Sequence, residues 1–323
     1  MAQEPDLKTL IKRLERRNAK KQAATALVAA SLVLGLAVIT TPYFSKEKSQ
    51  PITEAPAIQK SAQTVNAYAD ISLTGKAAIV YDLKTGETLF AVNENKQLPL
   101  ASLTKLLTMY AAADSLSSTS VVTITESALL ADGESGFVAG ERFAFKDIAR
   151  LALVASSNDA TEAIAETAEE RRNLSGQNLL AGAAAAAGLS QTYAYNGTGL
   201  DESTSVSGGY GSAQDVAKLA GALLAKAPEI AHATIESSFT IQSLDGVVHT
   251  LPNTNPDVVR IPGVMLSKTG FTDLAGGNLA VVYDAGIDHP IAIVVLGSTI
   301  DGRFTDVQRL LTRTEAHFAN TQP

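Results

Sequence analysis

Three short polar elements stand far apart in this chain: Ser102-Leu103-Thr104-Lys105, Ser156-Ser157-Asn158 and Lys268-Thr269-Gly270. Taken singly, each is commonplace and reads as a helix cap, a turn or a surface lysine. Their combination is what constrains the fold. A chain that uses them together must bring a helix start, a turn between helices and a strand to one cleft.

The first element sets the chemistry. On a helix, residues three apart share a face, so Lys105 lies beside the Ser102 hydroxyl. A serine hydroxyl becomes a nucleophile only when a neighbouring base takes its proton. An ordinary lysine, with a pKa of about 10.4, is protonated near neutrality and cannot serve. Desolvation or a second cation nearby lowers that value, and Lys268 is the candidate cation. A helix beginning at Ser102 also aims its first backbone N–H groups at a developing oxyanion. In the second element, Ser156 can pass a proton to a leaving amine, while Asn158 can hydrogen-bond either Lys105 or a substrate amide. The third follows a β-like run, Gly263 to Ser267, and reads as an edge strand lining the cleft. Lys268 and Thr269 can meet a carboxylate there, and Gly270 removes a side chain where substrate lies against backbone.

Two look-alikes test the spacing. Lys84-Thr85-Gly86 falls in a predicted hairpin turn, and Ser45-Lys46-Glu47-Lys48 falls in a polar segment with no apolar helix to desolvate its lysine. Neither has the context that the chemistry needs.

Composition narrows the class. The chain has no Cys, which excludes a thiol nucleophile, a Cys-ligated zinc site and a disulfide framework. Four His without an HExxH spacing give a zinc hydrolase little support, and no metal or organic cofactor is expected. Residues 1–21 carry seven Lys/Arg against three acids, within a chain of net charge −7. Nothing beyond them forms the basic stripe of a nucleic-acid surface. The asymmetry points to a lipid bilayer instead. From Ala23 to Thr41 no residue is charged, and at roughly 1.5 Å per residue this run can span a hydrocarbon core of about 30 Å. The positive-inside rule then leaves residues 1–21 cytoplasmic and sends the rest across as an uncleaved, single-pass signal anchor over 22–44. Residues 45–66 are polar and read as a linker, with one catalytic domain over 67–323.

Within that domain the segment KAAIVYD–LKTG–ETLFAV predicts a hairpin, followed by a helix from Ser102 to about Ala113. Further helices are expected near 146–155, 159–170, 176–187, 213–226 and 304–318. Strands are expected at 237–242, 246–250, 278–283 and 290–297. Strands at both ends with helices between them predict one α/β (α+β) fold whose termini complete a single sheet.

From about Ala67 to Ala319 the sequence resembles the D-alanyl-D-alanine carboxypeptidases, the low-molecular-mass penicillin-binding proteins. The three motifs carry the resemblance, together with YDLKTGETLFAVNENKQLPLASLTKLLT, LVASSNDATEAIAE, NGTGLDE, HTLPNTN, KTGFTDLAGGNLAVV and VVLGS. It implies that Ser102 forms an acyl ester, that Lys105 accepts its proton and that Ser156 assists proton transfer while Asn158 positions. By the same resemblance Lys268, Thr269 and Arg303 bind the substrate's terminal carboxylate, and the backbone N–H groups of Ser102 and Phe271 form the oxyanion hole. It implies a peptidoglycan stem peptide ending in D-Ala-D-Ala as substrate and β-lactam antibiotics as covalent inhibitors. The implied fold is an antiparallel sheet flanked by helices, with an all-helical region beside the cleft. Leu266 and Ser267 depart from the small residues that many relatives have before the lysine. Where relatives often carry a C-terminal amphipathic anchor, the anchor expected here is N-terminal.

Other readings share the same residues: a D,D-endopeptidase, a β-lactamase, or a catalytically silent wall-binding protein. A β-lactamase needs a group that activates water. Glu169 and Asn173 echo the acid and amide of class A enzymes, but Arg172 interrupts the pattern and the pair reads as a solvated helix end.

Overall fold

The structure is a computed structural model and describes residues 66–133 and 135–321. The chain enters through β1 (Ala77–Asp82) and β2 (Thr88–Val92), a hairpin that turns at Lys84-Thr85-Gly86. A two-residue strand, β3 (Leu98–Pro99), leads to a 3-10 turn at Ala101–Leu103 and then to α1 (Thr104–Ser115). Next come the mutually paired β4 (Val121–Thr123) and β5 (Arg142–Ala144), followed by α2 (Phe145–Val154), α3 (Asn158–Arg172) and α4 (Gly176–Ala186). Short strands β6 (Tyr193–Ala194) and β7 (Gly209–Gly211) precede α5 (Ala213–Lys226) and the five-residue α6 (Pro228–His232). A hairpin of β8 (Ser238–Gln242) and β9 (Val248–Pro252) comes before three long strands, β10 (Val264–Thr272), β11 (Gly276–Asp284) and β12 (Pro290–Ser298). Helix α7 (Gly302–Thr321) follows them.

The main sheet has five strands in the order β10-β11-β12-β1-β2, every pair antiparallel. Its centre joins the two ends of the domain, with Ala77 opposite Leu296 and Asp82 opposite Ile291. Successive side chains on a strand point to opposite faces, and both faces of this sheet are covered. One face presents Ala77, Ile79, Ala280, Val282, Ala292 and Val294 to the helical side, where Val216, Leu219 and Leu223 of α5 meet them. The other presents Ala78, Val80, Val281, Ile293 and Val295 to Val307, Leu310 and Leu311 of α7. That is why β1 and β12 read as nearly continuous apolar runs and show no alternation. Leu106, Leu107, Ile148, Leu151 and Ile164 carry the first core on into the bundle of α1–α3.

The expected fold class, an antiparallel sheet flanked by helices with a helical region, is the one observed. Three local expectations are corrected. The helix assigned from Ser102 begins at Thr104, because Ala101 adopts a left-handed backbone (φ 49°) and the chain makes a 3-10 turn before the α-helix. The strand expected at 246–250 lies at Val248–Pro252, since Gly246 (φ 92°) belongs to the turn. The last helix runs from Gly302 to Thr321. Among the described residues no helix is long and apolar enough to cross a membrane. The basic segment, the anchor and nearly all of the linker lie outside them.

Candidate active site

Ser102 lies in the 3-10 turn that leads into α1, held by contacts on both sides. The buried amide of Asn278 on β11 donates to the carbonyl oxygens of Pro99 and Leu100, each at 3.0 Å, and its Oδ1 accepts from the Gly297 N–H at 2.7 Å. This ties the turn to the sheet. The left-handed backbone of Ala101 is a strained state for a side-chain-bearing residue, and it persists because the surroundings over-determine it.

Lys105 is fully buried, 0% exposed. Its Nζ lies 3.0 Å from Ser102 Oγ, 2.6 Å from Asn158 Oδ1 and 2.8 Å from the Thr198 carbonyl oxygen. Burial lowers the amine to about 7, and the Glu162 carboxylate pulls the other way. A free amine has two hydrogens and one lone pair. Asn158 Oδ1 and the Thr198 carbonyl can only accept, so they take both hydrogens and leave the lone pair for the Ser102 hydroxyl proton. Asn158 is fixed in turn by donating from Nδ2 to the Asp132 carbonyl oxygen. Lys105 is one of the two partners that the sequence offered for Asn158.

Ser156, in the turn between α2 and α3, also has a left-handed backbone (φ 57°). Its hydroxyl accepts from Lys268 Nζ at 2.8 Å, and the same amine donates to the Thr269 carbonyl oxygen at 2.9 Å. Burial depresses Lys268 well below an ordinary lysine, and repulsion from Lys105 and Arg303 depresses it further. Lys105 and Lys268 do repel one another, but of the two causes that the sequence offered, desolvation is the larger. Burial comes first for both amines, and Lys268 contacts Ser156.

Lys268 reaches the cleft because β10 is an edge strand, as its sequence position suggested. Thr269 Oγ1 donates to Thr254 Oγ1 at 2.6 Å. At Gly270 a Cβ would come within 2.9 Å of the Leu100 carbonyl oxygen and 3.2 Å of the Ser102 nitrogen, so the strand lies directly against the nucleophile's backbone. The Phe271 side chain is exposed. From α7, Arg303 donates through Nη1 to the Gly270 carbonyl oxygen at 2.8 Å, while its buried Nε has no hydrogen-bond partner. The departure at Ser267 is also accounted for, because its hydroxyl accepts from Asn255 Nδ2 at 2.8 Å and its N–H donates to Thr234 Oγ1 at 2.9 Å. Among the described residues no three His, Cys, Asp or Glu converge as a metal ligand set.

One cleft thus holds a serine against a buried amine lowered to about 7, a second serine against a second buried amine, and an arginine with an unused donor. The family model of the D-alanyl-D-alanine carboxypeptidases matches residues 61–299, most of the chain. The chain belongs to this family. Among its members, D-alanyl-D-alanine carboxypeptidase DacF of Bacillus subtilis is 30% identical over 250 residues, covering 75% of this chain and 62% of the relative. The Escherichia coli carboxypeptidase DacC is 30% identical over 276 residues, covering 80% of this chain and 64% of the relative. The chain therefore spans less than two thirds of the length of either. The ampicillin-bound crystal structure of penicillin-binding protein D2 from Listeria monocytogenes superposes with a TM-score of 0.63 at 25% identity, covering 76% of this chain and 98% of that one.

The three motifs pointed to the residues that face one another. They did not point to Thr198 and Thr254, which contact Lys105 and Thr269, or to Asn278, which ties the Ser102 turn to the sheet. The only sequence signal for them is that they fall in NGTGLDE, HTLPNTN and GGNLAVV, segments on which the resemblance rested.

Proposed function

We propose that this chain is a serine D-alanyl-D-alanine carboxypeptidase that removes the terminal D-Ala from peptidoglycan stem peptides through an acyl ester on Ser102. The observation that carries this reading is the set of contacts at Lys105: a fully buried amine, lowered to about 7, with its lone pair left for the serine.

Ser102 Oγ attacks the carbonyl carbon of the penultimate D-Ala and its proton passes to Lys105. The oxyanion forms between the backbone N–H groups of Ser102 and Phe271, a position supported by the close approach of Gly270 to the Ser102 nitrogen. Collapse breaks the peptide bond, and the leaving amine takes a proton through Ser156. Water then attacks the ester and restores Ser102. The unused Arg303 Nε, with Lys268 and Thr269, supports binding of the terminal carboxylate. A β-lactam acylates the same serine.

Residues 67–323 form the catalytic domain of this proposal. Residues 22–44 anchor it to the membrane with the N-terminus inside, a placement supported by the basic cluster before a charge-free apolar run. The test is release of D-Ala from a pentapeptide by the full chain. The wild type should release it and Ser102→Ala should not; equal release by both sinks the proposal.

A further inference from the structure

Lys105 has one charged neighbour that the mechanism above does not use. Helix α3 begins at Asn158, whose Oδ1 lies 2.6 Å from Lys105 Nζ, and one turn further on the same face stands Glu162. Glu166 and Glu169 continue that face outward. Glu166 accepts from the hydroxyls of Thr125 and Ser127 at 2.5 and 2.6 Å, and Glu169 accepts from the Gly176 backbone. Glu162 is half-buried and has no hydrogen-bond partner among the described residues. The charged groups around it are Lys105 on α1, Glu166 and Glu169 on its own helix, and Glu202 in the loop after β6. Burial and these three carboxylates push its carboxyl up, and among the described residues Lys105 is the one group that holds it down.

A carboxylate left this way among like charges is costly unless it answers a positive charge that the site must create. The reaction creates one. When Lys105 takes the serine proton, an ammonium forms in a fully buried position whose three hydrogen-bond partners are all neutral. Burial penalises that ammonium, and the field of Glu162 opposes the penalty.

We propose that Glu162 is a positioning residue that acts through Lys105, as the counter-charge for the ammonium formed when Lys105 takes the Ser102 proton. The proposal rests on the acyl-serine reading. It makes Glu162 strengthen Lys105 as a base while keeping the amine protonated to a higher pH. Removing the charge therefore has two opposite effects: the free amine persists to lower pH, and it is a weaker base once free.

The test is the rate of penicillin acylation as a function of pH in the full chain, for wild type, Glu162→Gln and Glu162→Asp. In the Gln variant the acid limb should move to lower pH by about one unit. Its alkaline plateau should fall by roughly three- to tenfold. Glu162→Asp keeps the charge but draws it back, and should give an intermediate limb. A Gln limb that coincides with the wild-type limb overturns the proposal, whatever happens to the melting temperature. Should the Gln variant fail to fold, the Asp limb decides by the same criterion. A wild type that takes no label sinks the acyl-serine reading itself, whereas a labelled wild type with unmoved limbs sinks only the role of Glu162.

Discussion

The tripeptide Lys-Thr-Gly occurs twice in this chain, and the two copies lead different lives. At 84–86 it is exposed and closes the β1–β2 hairpin. There Asp82 Oδ1 accepts the N–H groups of Lys84 and Thr85 at 2.8 and 3.0 Å, and Gly86 takes a left-handed backbone (φ 77°). At 268–270 the same residues are buried on an edge strand, with Lys268 only 1% exposed and bonded to Ser156. Water solvates the first lysine and the second must be served by protein groups. The comparison teaches that the motif carries no chemistry of its own. Burial, an edge position and a facing serine supply it.

The contrast breaks most visibly at the lysines. Lys268→Ala should lower the acylation rate by about a thousandfold, since it removes the buried donor bonded to Ser156 from the reacting centre. Lys84→Ala should leave the rate unchanged, and stopped-flow acylation with a chromogenic β-lactam reads both. A thousandfold loss at Lys84 would dissolve the distinction.

The glycines sharpen it, because they should fail for different reasons. Gly270→Ala forces a methyl against the Leu100 carbonyl and the Ser102 nitrogen, and acylation should drop by about tenfold. Gly86→Ala meets only the Tyr81 hydroxyl at 3.6 Å, an ordinary contact, but must hold a left-handed backbone, costing about 1 kcal/mol with no change in rate. A thermal melt separates the two, the latter falling by a few degrees.

Lys105, the other buried lysine of the cleft, also predicts a pH signature. Lys105 is at about 7 in the folded protein and near 10.5 when unfolded, so the unfolded chain binds the extra proton between those values. Its contribution to stability therefore rises with pH from about 7 to 10.5, and the acylation rate falls as pH drops through 7. Equilibrium denaturation at several pH values, compared with Lys105→Met, isolates this term; the Met variant should lose that rise. The hairpin should again change stability alone. Asp82→Ala should cost about 1–2 kcal/mol by removing the acceptor of the turn and of His289 Nε2, with acylation intact.

Much of this architecture was legible because the sheet is covered on both faces. AAIVYD and IAIVVLGS are nearly continuous apolar runs, and their positions near the two ends of the domain already suggested that they meet. The pairing of Ser102 with Lys105 was legible because helical spacing puts them together. The 3-10 turn was not, since nothing local marks Ala101 for a left-handed backbone and the Asn278 contacts that hold the turn come from a strand remote in sequence. The relative weight of burial and repulsion at the two lysines was illegible for a related reason. Two lysines in one cleft suggest mutual repulsion, but only the folded geometry shows that burial is the larger cause and that Ser156 receives the second amine. Thr198 was invisible because it contributes a backbone carbonyl, which any residue type could supply.

The central claim is that Ser102 is the residue acylated. Intact mass of the full chain after exposure to a penicillin tests it directly. The wild type should gain one penicilloyl group and Ser102→Ala should gain none. An adduct of equal occupancy on Ser102→Ala would contradict the claim.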